Sequence, residues 1–225
     1  MKKAVVIFSG GQDSTTCLHW ALKQFDEVEA ITFNYGQKHV VEIEQSKKIC
    51  SFLDVRQTII DISFLNTLVE SALTSNGDVN QKNKLGLPAS FVPNRNQLFI
   101  TLSHSYAQKI GAQNLVTGVC QTDFSGYPDC RHEFINAIEF SSNLGSGLMI
   151  GNNKIVRIHT PLMFLDKADT FKLAKDLGQL EEVIVHSHTC YNGNRELKHD
   201  WGYGCGKCGA CVERAKGYKE FLNRY

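Results

Sequence analysis

The sequence predicts an α/β protein: a Rossmann-like parallel sheet with helices on both faces, extended by a small cysteine-rich segment at the C-terminus. Three observations carry this expectation. Short apolar runs of strand length alternate with stretches whose apolar residues recur at three- and four-residue spacing. A glycine-rich turn joins the first such run to the first helical stretch. From about Val185 the chain becomes dense in Cys, Gly, His and Tyr and poor in β-branched residues.

The strand-length runs are Ala4 to Phe8, Glu29 to Phe33, Gln57 to Ile60, Leu115 to Thr117 and a weaker one at Ile155 to Ile158. Between them, Thr15 to Lys23, Val40 to Phe52, Gln97 to Lys109, Phe134 to Leu144 and Lys167 to Leu177 carry the periodicity of helices that cover a sheet. Ser71 to Asn96 breaks the rhythm, being polar and punctuated by Gly77, Gly86, Pro88 and Pro93. A long irregular stretch inside a domain is usually functional, so it reads as an active-site flap or a partner surface. At 225 residues the chain suits one sizeable domain, residues 1–184, with a small appendage, residues 185–225.

Composition excludes several classes. Twenty-four basic against 23 acidic residues leave a charge of +1, which argues against a nucleic acid or an anionic membrane held by bulk charge. The start, Met1-Lys2-Lys3-Ala4-Val5, lacks a signal peptide, and the apolar run after it is too short to span a membrane. The expected location is the cytoplasm, where clustered thiols stay reduced and usually mean metal.

The first chemical motif is the turn Phe8-Ser9-Gly10-Gly11-Gln12-Asp13-Ser14-Thr15-Thr16. Such a turn aims backbone N–H groups and the positive end of a helix at an anion beyond the strand's carboxyl end. Two glycines let a phosphate approach closely, and Ser9, Ser14 and Thr15 add hydroxyl donors. There is no Walker lysine and no third glycine of the dinucleotide fingerprint. What remains, S-G-G-x-D-S, resembles the pyrophosphate loop of the N-type ATP pyrophosphatases. In that reading Asp13 helps hold the Mg²⁺ that accompanies ATP; in the plainer one Asp13 or Ser14 merely caps a helix.

The second motif is Cys205-Gly206-Lys207-Cys208-Gly209-Ala210-Cys211, preceded at a distance by Cys190. Four thiolates suit one structural Zn²⁺ per chain, fastening the tail to the body. An iron–sulfur cluster is the alternative. His186, His188 and His199 are then expected at the surface or beside the substrate. Cys17 and Cys50 are expected to pack as small apolar residues, while Cys120 lies where a strand end would present an active-site group.

A third stretch, Gly118 to Arg131, should face the loop from the end of the fourth strand. In it Asp123 and Asp129 can accept from the N–H groups of a guanine-like edge, Tyr127 can stack, and Arg131 can clamp a carboxylate or phosphate.

Taken in order along the chain, S-G-G-Q-D-S-T-T (9–16), F-N-Y-G-Q-K-H (33–39), F-V-P-N-R-N (91–96), T-D-F-S-G-Y-P-D-C-R (122–131), T-P-L-M (160–163) with Lys167, and the four cysteines resemble the QueC family. The resemblance implies an adenine nucleotide alpha-hydrolase-like fold and a 7-cyano-7-deazaguanine synthase of queuosine biosynthesis. Such a ligase converts 7-carboxy-7-deazaguanine and ammonia to a nitrile through adenylated intermediates, and relatives are described as dimers, so a homodimer is expected. Carried over by position, Ser9, Gly10, Gly11, Asp13 and Ser14 hold pyrophosphate, and Cys190, Cys205, Cys208 and Cys211 bind zinc. Asp13, Lys167 and Arg131 are the expected catalytic groups; Arg95, Asp123, Tyr127, Asp129 and Arg131 are expected around the substrate. Asn94 stands where many relatives read Gly, and Arg195 to Trp201 looks like an insertion. A tRNA-thiolating enzyme on the same fold is the competing expectation, with Cys120 and Cys130 as its cysteines, but the neutral charge offers RNA little. A non-enzymatic zinc module would leave the first 170 residues unexplained.

Overall fold

Side chains alternate across a strand, so each strand feeds two cores at once. In the computed structural model, which describes residues 1–36, 41–69, 86–122, 126–150 and 154–225, five strands form one parallel sheet. They are β1 (Lys3–Ile7), β2 (Glu27–Asn34), β3 (Arg56–Asp61), β4 (Asn114–Val116) and β5 (Arg157–His159), in the order β3-β2-β1-β4-β5. Val5 sits opposite Glu29 on one side and Leu115 on the other, and Leu115 in turn opposite Ile158.

Val5, Ile31, Leu115 and Ile158 turn to one face, covered by Ile100 and Ala107 of α3 (Arg95–Lys109) and Ile135 and Ile138 of α4 (His132–Gly145). Ala4, Val6, Ala30 and Val116 turn to the other, covered by Cys17, Leu18 and Ala21 of α1 (Gln12–Gln24) and Ile49 and Cys50 of α2 (Val41–Phe52). Helices on both faces of a parallel sheet are what the apolar runs require, and Cys17 and Cys50 are the small core residues expected of them. Each fully buried Leu or Ile contributes about 1.5–3 kcal/mol.

Three further helices follow: α5 (Lys167–Asp176), α6 (Leu180–His186) and α7 (Gly209–Arg224). The boundary expected at residue 184 falls inside α6. The tail docks through α7, whose Phe221 packs with Ala168 and Phe171 of α5. Periodicity did not reveal α7, because its buried face is Cys211, Arg214, Gly217 and Phe221. The spacing is helical but only one of the four is a large apolar residue. Between α6 and α7 a short hairpin, β6 (Lys198–His199) with β7 (Gly202–Tyr203), occupies the stretch that reads as an insertion. No helix among the described residues is long and apolar enough to cross a membrane.

The sheet order reverses at β1, with β2 on one side and β4 on the other. In doubly wound sheets the crevice beyond the carboxyl ends of the strands at such a point is where ligands bind.

Candidate active site and metal centre

The turn after β1 is held by its own hydroxyls. The Gly11 N–H donates to Ser9 Oγ at 3.2 Å, Ser14 Oγ donates to the Gly11 carbonyl at 3.1 Å, and Thr15 Oγ1 donates to the same carbonyl at 2.8 Å. Neither Asp13 nor Ser14 caps α1: the N-cap is Gly11, without a side-chain cap. The first-turn N–H groups and the positive end of the helix therefore face the crevice. Gly10 has φ +83°, and a Cβ there would lie 2.9 Å from both the Glu42 carbonyl oxygen and the Ser46 nitrogen. Only glycine lets α2 pack this close to the turn.

Two elements close on the turn from the side. Gly118, beyond β4, approaches until a Cβ would be 3.2 Å from the backbone of Asp13 and Ser14. From α5, Lys167 Nζ donates to Asp13 Oδ2 at 2.9 Å. The Lys167 stem lies against Gly217 of α7, where a Cβ would come within 2.6 Å of its Cβ and Cγ. Gln12 is 1% exposed, and neither atom of its amide meets a hydrogen-bond partner among the described residues. Such a group needs a polar companion to be stable in the interior.

A second cluster forms around Arg95 at the start of α3. Asn94 precedes it with φ 59°, the left-handed conformation that Asn tolerates better than most residues, so the turn forms without glycine there. The Arg95 guanidinium lies 5.7 Å from the Tyr35 ring centre and 5.9 Å from that of Phe99. Asp129, on the short 3₁₀ turn Pro128–Cys130, is 6% exposed and accepts the Asn96 N–H at 3.1 Å through Oδ2. Its Oδ1 and the Nε of Arg95 are buried without a partner among the described residues. Tyr127 shares a 2.6 Å hydrogen bond with Ser90 and packs on Phe91. Arg95, Tyr127 and Asp129 thus come together, Arg131 is exposed at the N-cap of α4, and Asp123 lies outside the described residues.

Cys190, Cys205, Cys208 and Cys211 meet with their sulfurs within 4.8 Å of one another. The Cys205–Cys211 and Cys208–Cys190 separations are 4.0 Å, close to the roughly 3.8 Å edge of a tetrahedron with 2.3 Å metal–sulfur bonds. Backbone N–H groups point at the sulfurs: Cys205 to Cys190 at 3.4 Å, and Lys207 and Cys208 to Cys205 at 3.4 and 3.3 Å. Such donors favour thiolates, and the hydrogen bond shared by Cys208 and Cys211 holds the Cys208 thiol below its ordinary value and that of Cys211 above it. The four cysteines could hold a metal such as zinc. Arg214, one turn beyond Cys211 and 1% exposed, donates to the Trp201 carbonyl at 2.8 Å and to Thr189 Oγ1 at 2.7 Å, tying together the segments that carry the cysteines. His188 is not a surface residue: it is wholly buried, and its backbone N–H donates to the Gly10 carbonyl at 2.8 Å.

The family model described as queuosine biosynthesis protein QueC matches residues 3–222. The chain belongs to the QueC family. Among its QueC relatives, the 7-cyano-7-deazaguanine synthase of Helicobacter acinonychis (strain Sheeba) is 53% identical over 226 residues, which cover 98% of this chain and 97% of the relative. That of Wolinella succinogenes is 50% identical over 97% and 93% of the two chains. The Bacillus subtilis (strain 168) protein of the same name is 50% identical over 98% and 95%.

Three residues of the Arg95 cluster escaped the sequence reading. Tyr35 follows β2, Glu42 lies in the first turn of α2 and Tyr191 follows Cys190, and all three interact electrostatically with Arg95. Burial pushes the Tyr35 hydroxyl up to about 12 and the Glu42 carboxyl to about 7. In the sequence an acidic residue in a helix's first turn is an ordinary partner of the helix dipole, so Glu42 gave no signal of its own. Cys120, four residues past β4, is buried with its sulfur on the Leu165 carbonyl at 2.9 Å.

Proposed function

We propose that this QueC-family chain is an ATP-dependent ligase that converts 7-carboxy-7-deazaguanine and ammonia to 7-cyano-7-deazaguanine in queuosine biosynthesis. The observation that carries the reading is the near full-length match to relatives of that name, supported by a glycine-rich turn suited to an anion and by the cluster of Arg95, Asp129 and Tyr127. A carboxylate carbon is a poor electrophile until its oxygen is adenylated. Ammonia then displaces AMP to give the amide, and a second adenylation allows dehydration to the nitrile.

In this reading the turn Phe8 to Thr16 holds the phosphates of ATP, with Ser9, Gly10, Gly11, Ser14 and the first N–H groups of α1 receiving the pyrophosphate. Lys167 neutralises the charge that grows on pyrophosphate as it leaves, and Asp13 both orients Lys167 and would hold Mg²⁺. Bound Mg²⁺ supplies charge neutralisation on the phosphates. Asp129 has an oxygen left to accept from the N–H edge of a guanine-like base, Tyr127 can stack on it, and Arg95 suits its carboxylate. Asp123 and Arg131 complete the proposed substrate set from the same loop.

Zinc on the four thiolates, one per chain, is the proposed structural metal, and a homodimer in the cytoplasm acting on small molecules, with neither nucleic acid nor membrane, the proposed setting. Incubation with 7-carboxy-7-deazaguanine, ammonium and Mg-ATP, followed by mass spectrometry, is expected to give nitrile, AMP and pyrophosphate. Absence of the nitrile rejects the reading. Elemental analysis should find about one zinc per chain in colourless protein; iron in brown protein would reject that metal.

A further inference from the structure

We infer that Glu42 is the proton acceptor for the nitrogen in both the amination and the dehydration step, an inference that rests on the proposed ligase reading. Amination of an acyl adenylate and dehydration of an amide share one demand that neither the pyrophosphate loop nor a cation meets. Protons must leave nitrogen, and a carboxylate is the ordinary means.

Glu42 is placed for this. Its backbone carbonyl packs against Gly10, where a Cβ would be 2.9 Å away, so the residue borders the turn proposed to hold pyrophosphate. Its carboxyl interacts electrostatically with Arg95 from α3, Tyr35 beyond β2 and Tyr191 from the cysteine segment; among the described residues Tyr127, Asp129 and Cys130 also act on Arg95, and Glu213 of α7 on Tyr191. Arg95 is also the cation suited to the substrate carboxylate, which brings the reacting carbon to the same cluster. Glu42 is only half-buried, so it can discharge a proton to water between steps. Burial raises its carboxyl to about 7, with Arg95 acting in the opposite direction, which suits a group that must take and release protons near neutrality.

In the first step the ammonia nitrogen forms a bond to the acyl carbon, the bond from that carbon to the AMP oxygen breaks with its electron pair leaving on AMP, and one N–H proton passes to Glu42. In the second, the amide oxygen has displaced pyrophosphate from ATP, leaving a protonated imidoyl adenylate. Glu42 takes one N–H proton, passes it to water, and takes the other as the C–O bond breaks, giving nitrile and AMP.

The test uses the full chain and two assays. Pyrophosphate exchange into ATP, dependent on 7-carboxy-7-deazaguanine, reads adenylation alone; mass spectrometry reads the amide and the nitrile. Glu42→Gln should keep exchange within about threefold of wild type and lose about a hundredfold or more of nitrile formation, as removal of a general base does; Glu42→Asp should recover part of that loss. Wild-type kcat at saturating ammonium should rise with pH through an acid limb near 7, a readout that does not require any variant to fold. A Glu42→Gln protein with unchanged kcat, an equal loss of exchange and nitrile formation, or a wild-type kcat flat between pH 5.5 and 8 would each overturn the assignment. Wild type that makes no nitrile overturns the ligase reading and this inference with it, whereas active wild type with an unaffected variant overturns the role of Glu42 alone.

Discussion

His188 and Gly10 are joined by a backbone hydrogen bond of 2.8 Å, from the N–H of the first to the carbonyl of the second. Two residues after His188 comes Cys190, and the residue between them, Thr189, is held by Arg214 of α7 at 2.7 Å. The cysteine cluster and the turn proposed to hold phosphate therefore share one short stretch of backbone. Withdrawal of a metal held by the four cysteines would free that stretch, and the turn should loosen with it. Protein stripped with a zinc-selective chelator and returned to Mg²⁺ buffer is expected to bind ATP at least about tenfold more weakly by calorimetry, about 1.4 kcal/mol. Cys208→Ala should lower soluble yield and melting temperature, since binding a structural zinc is worth on the order of 10 kcal/mol in isolated fingers. ATP affinity unchanged in the metal-free protein would disprove the coupling.

Lys167 invites a substitution that separates charge from packing. Its stem fills the space left by Gly217, while its ammonium pairs with Asp13. Lys167→Met keeps most of the stem and removes the charge. The ion pair is partly exposed, at 15% and 24%, so its loss should cost no more than about 1 kcal/mol of stability in urea unfolding. Pyrophosphate exchange should fall about 10²–10³-fold if the charge stabilises departing pyrophosphate. A Lys167→Met protein that exchanges at the wild-type rate would remove Lys167 from the chemistry.

What the sequence made legible follows from how local each feature is. The turn at 9–16 and the triplet Cys205, Cys208 and Cys211 are contiguous, so their chemistry is written in neighbouring letters. The alternation of strands and helices is equally local, and it located all five strands of the sheet and its covering helices within a few residues. The Arg95 cluster is different, for Tyr35, Glu42, Tyr127, Asp129 and Tyr191 are brought together only by the crossovers of the sheet. His188 was hidden for another reason. Its contact with the turn is made by the backbone, and a backbone hydrogen bond leaves no mark on residue type.

Gly10 offers a stability prediction with an internal control. Gly10→Ala adds a methyl that meets two backbone atoms at 2.9 Å, at a φ that L-residues avoid. Gly111 has a similar φ, +73°, but open space around it. Gly111→Ala should therefore cost only the conformational strain, about 1–2 kcal/mol. Gly10→Ala must also displace α2 from the turn, and is expected to cost about twice as much in urea unfolding and to abolish ATP binding. Equal costs at the two positions would mean that α2 yields freely, and that close packing on the turn is not what demands glycine.

His19 carries the clearest pH dependence of stability. It is 5% exposed on α1, and burial depresses its imidazole from 6.5 to about 4. Folding thus penalises the charged form: above pH 6.5 the side chain is neutral in both states, and below about 4 it is charged in both. Between these values the unfolded chain binds more protons, so stability falls as pH falls from 6.5 to 4. The full depression corresponds to about 3 kcal/mol, and access of water to the ring edge reduces that to on the order of 2 kcal/mol. His19→Gln keeps a polar group of similar size without the titration. Urea unfolding of the wild type at pH 7 and pH 4.5 should differ by more than that of the variant, by on the order of 1–2 kcal/mol. Identical pH dependences would show that His19 is protonated as readily in the folded protein as in the unfolded chain.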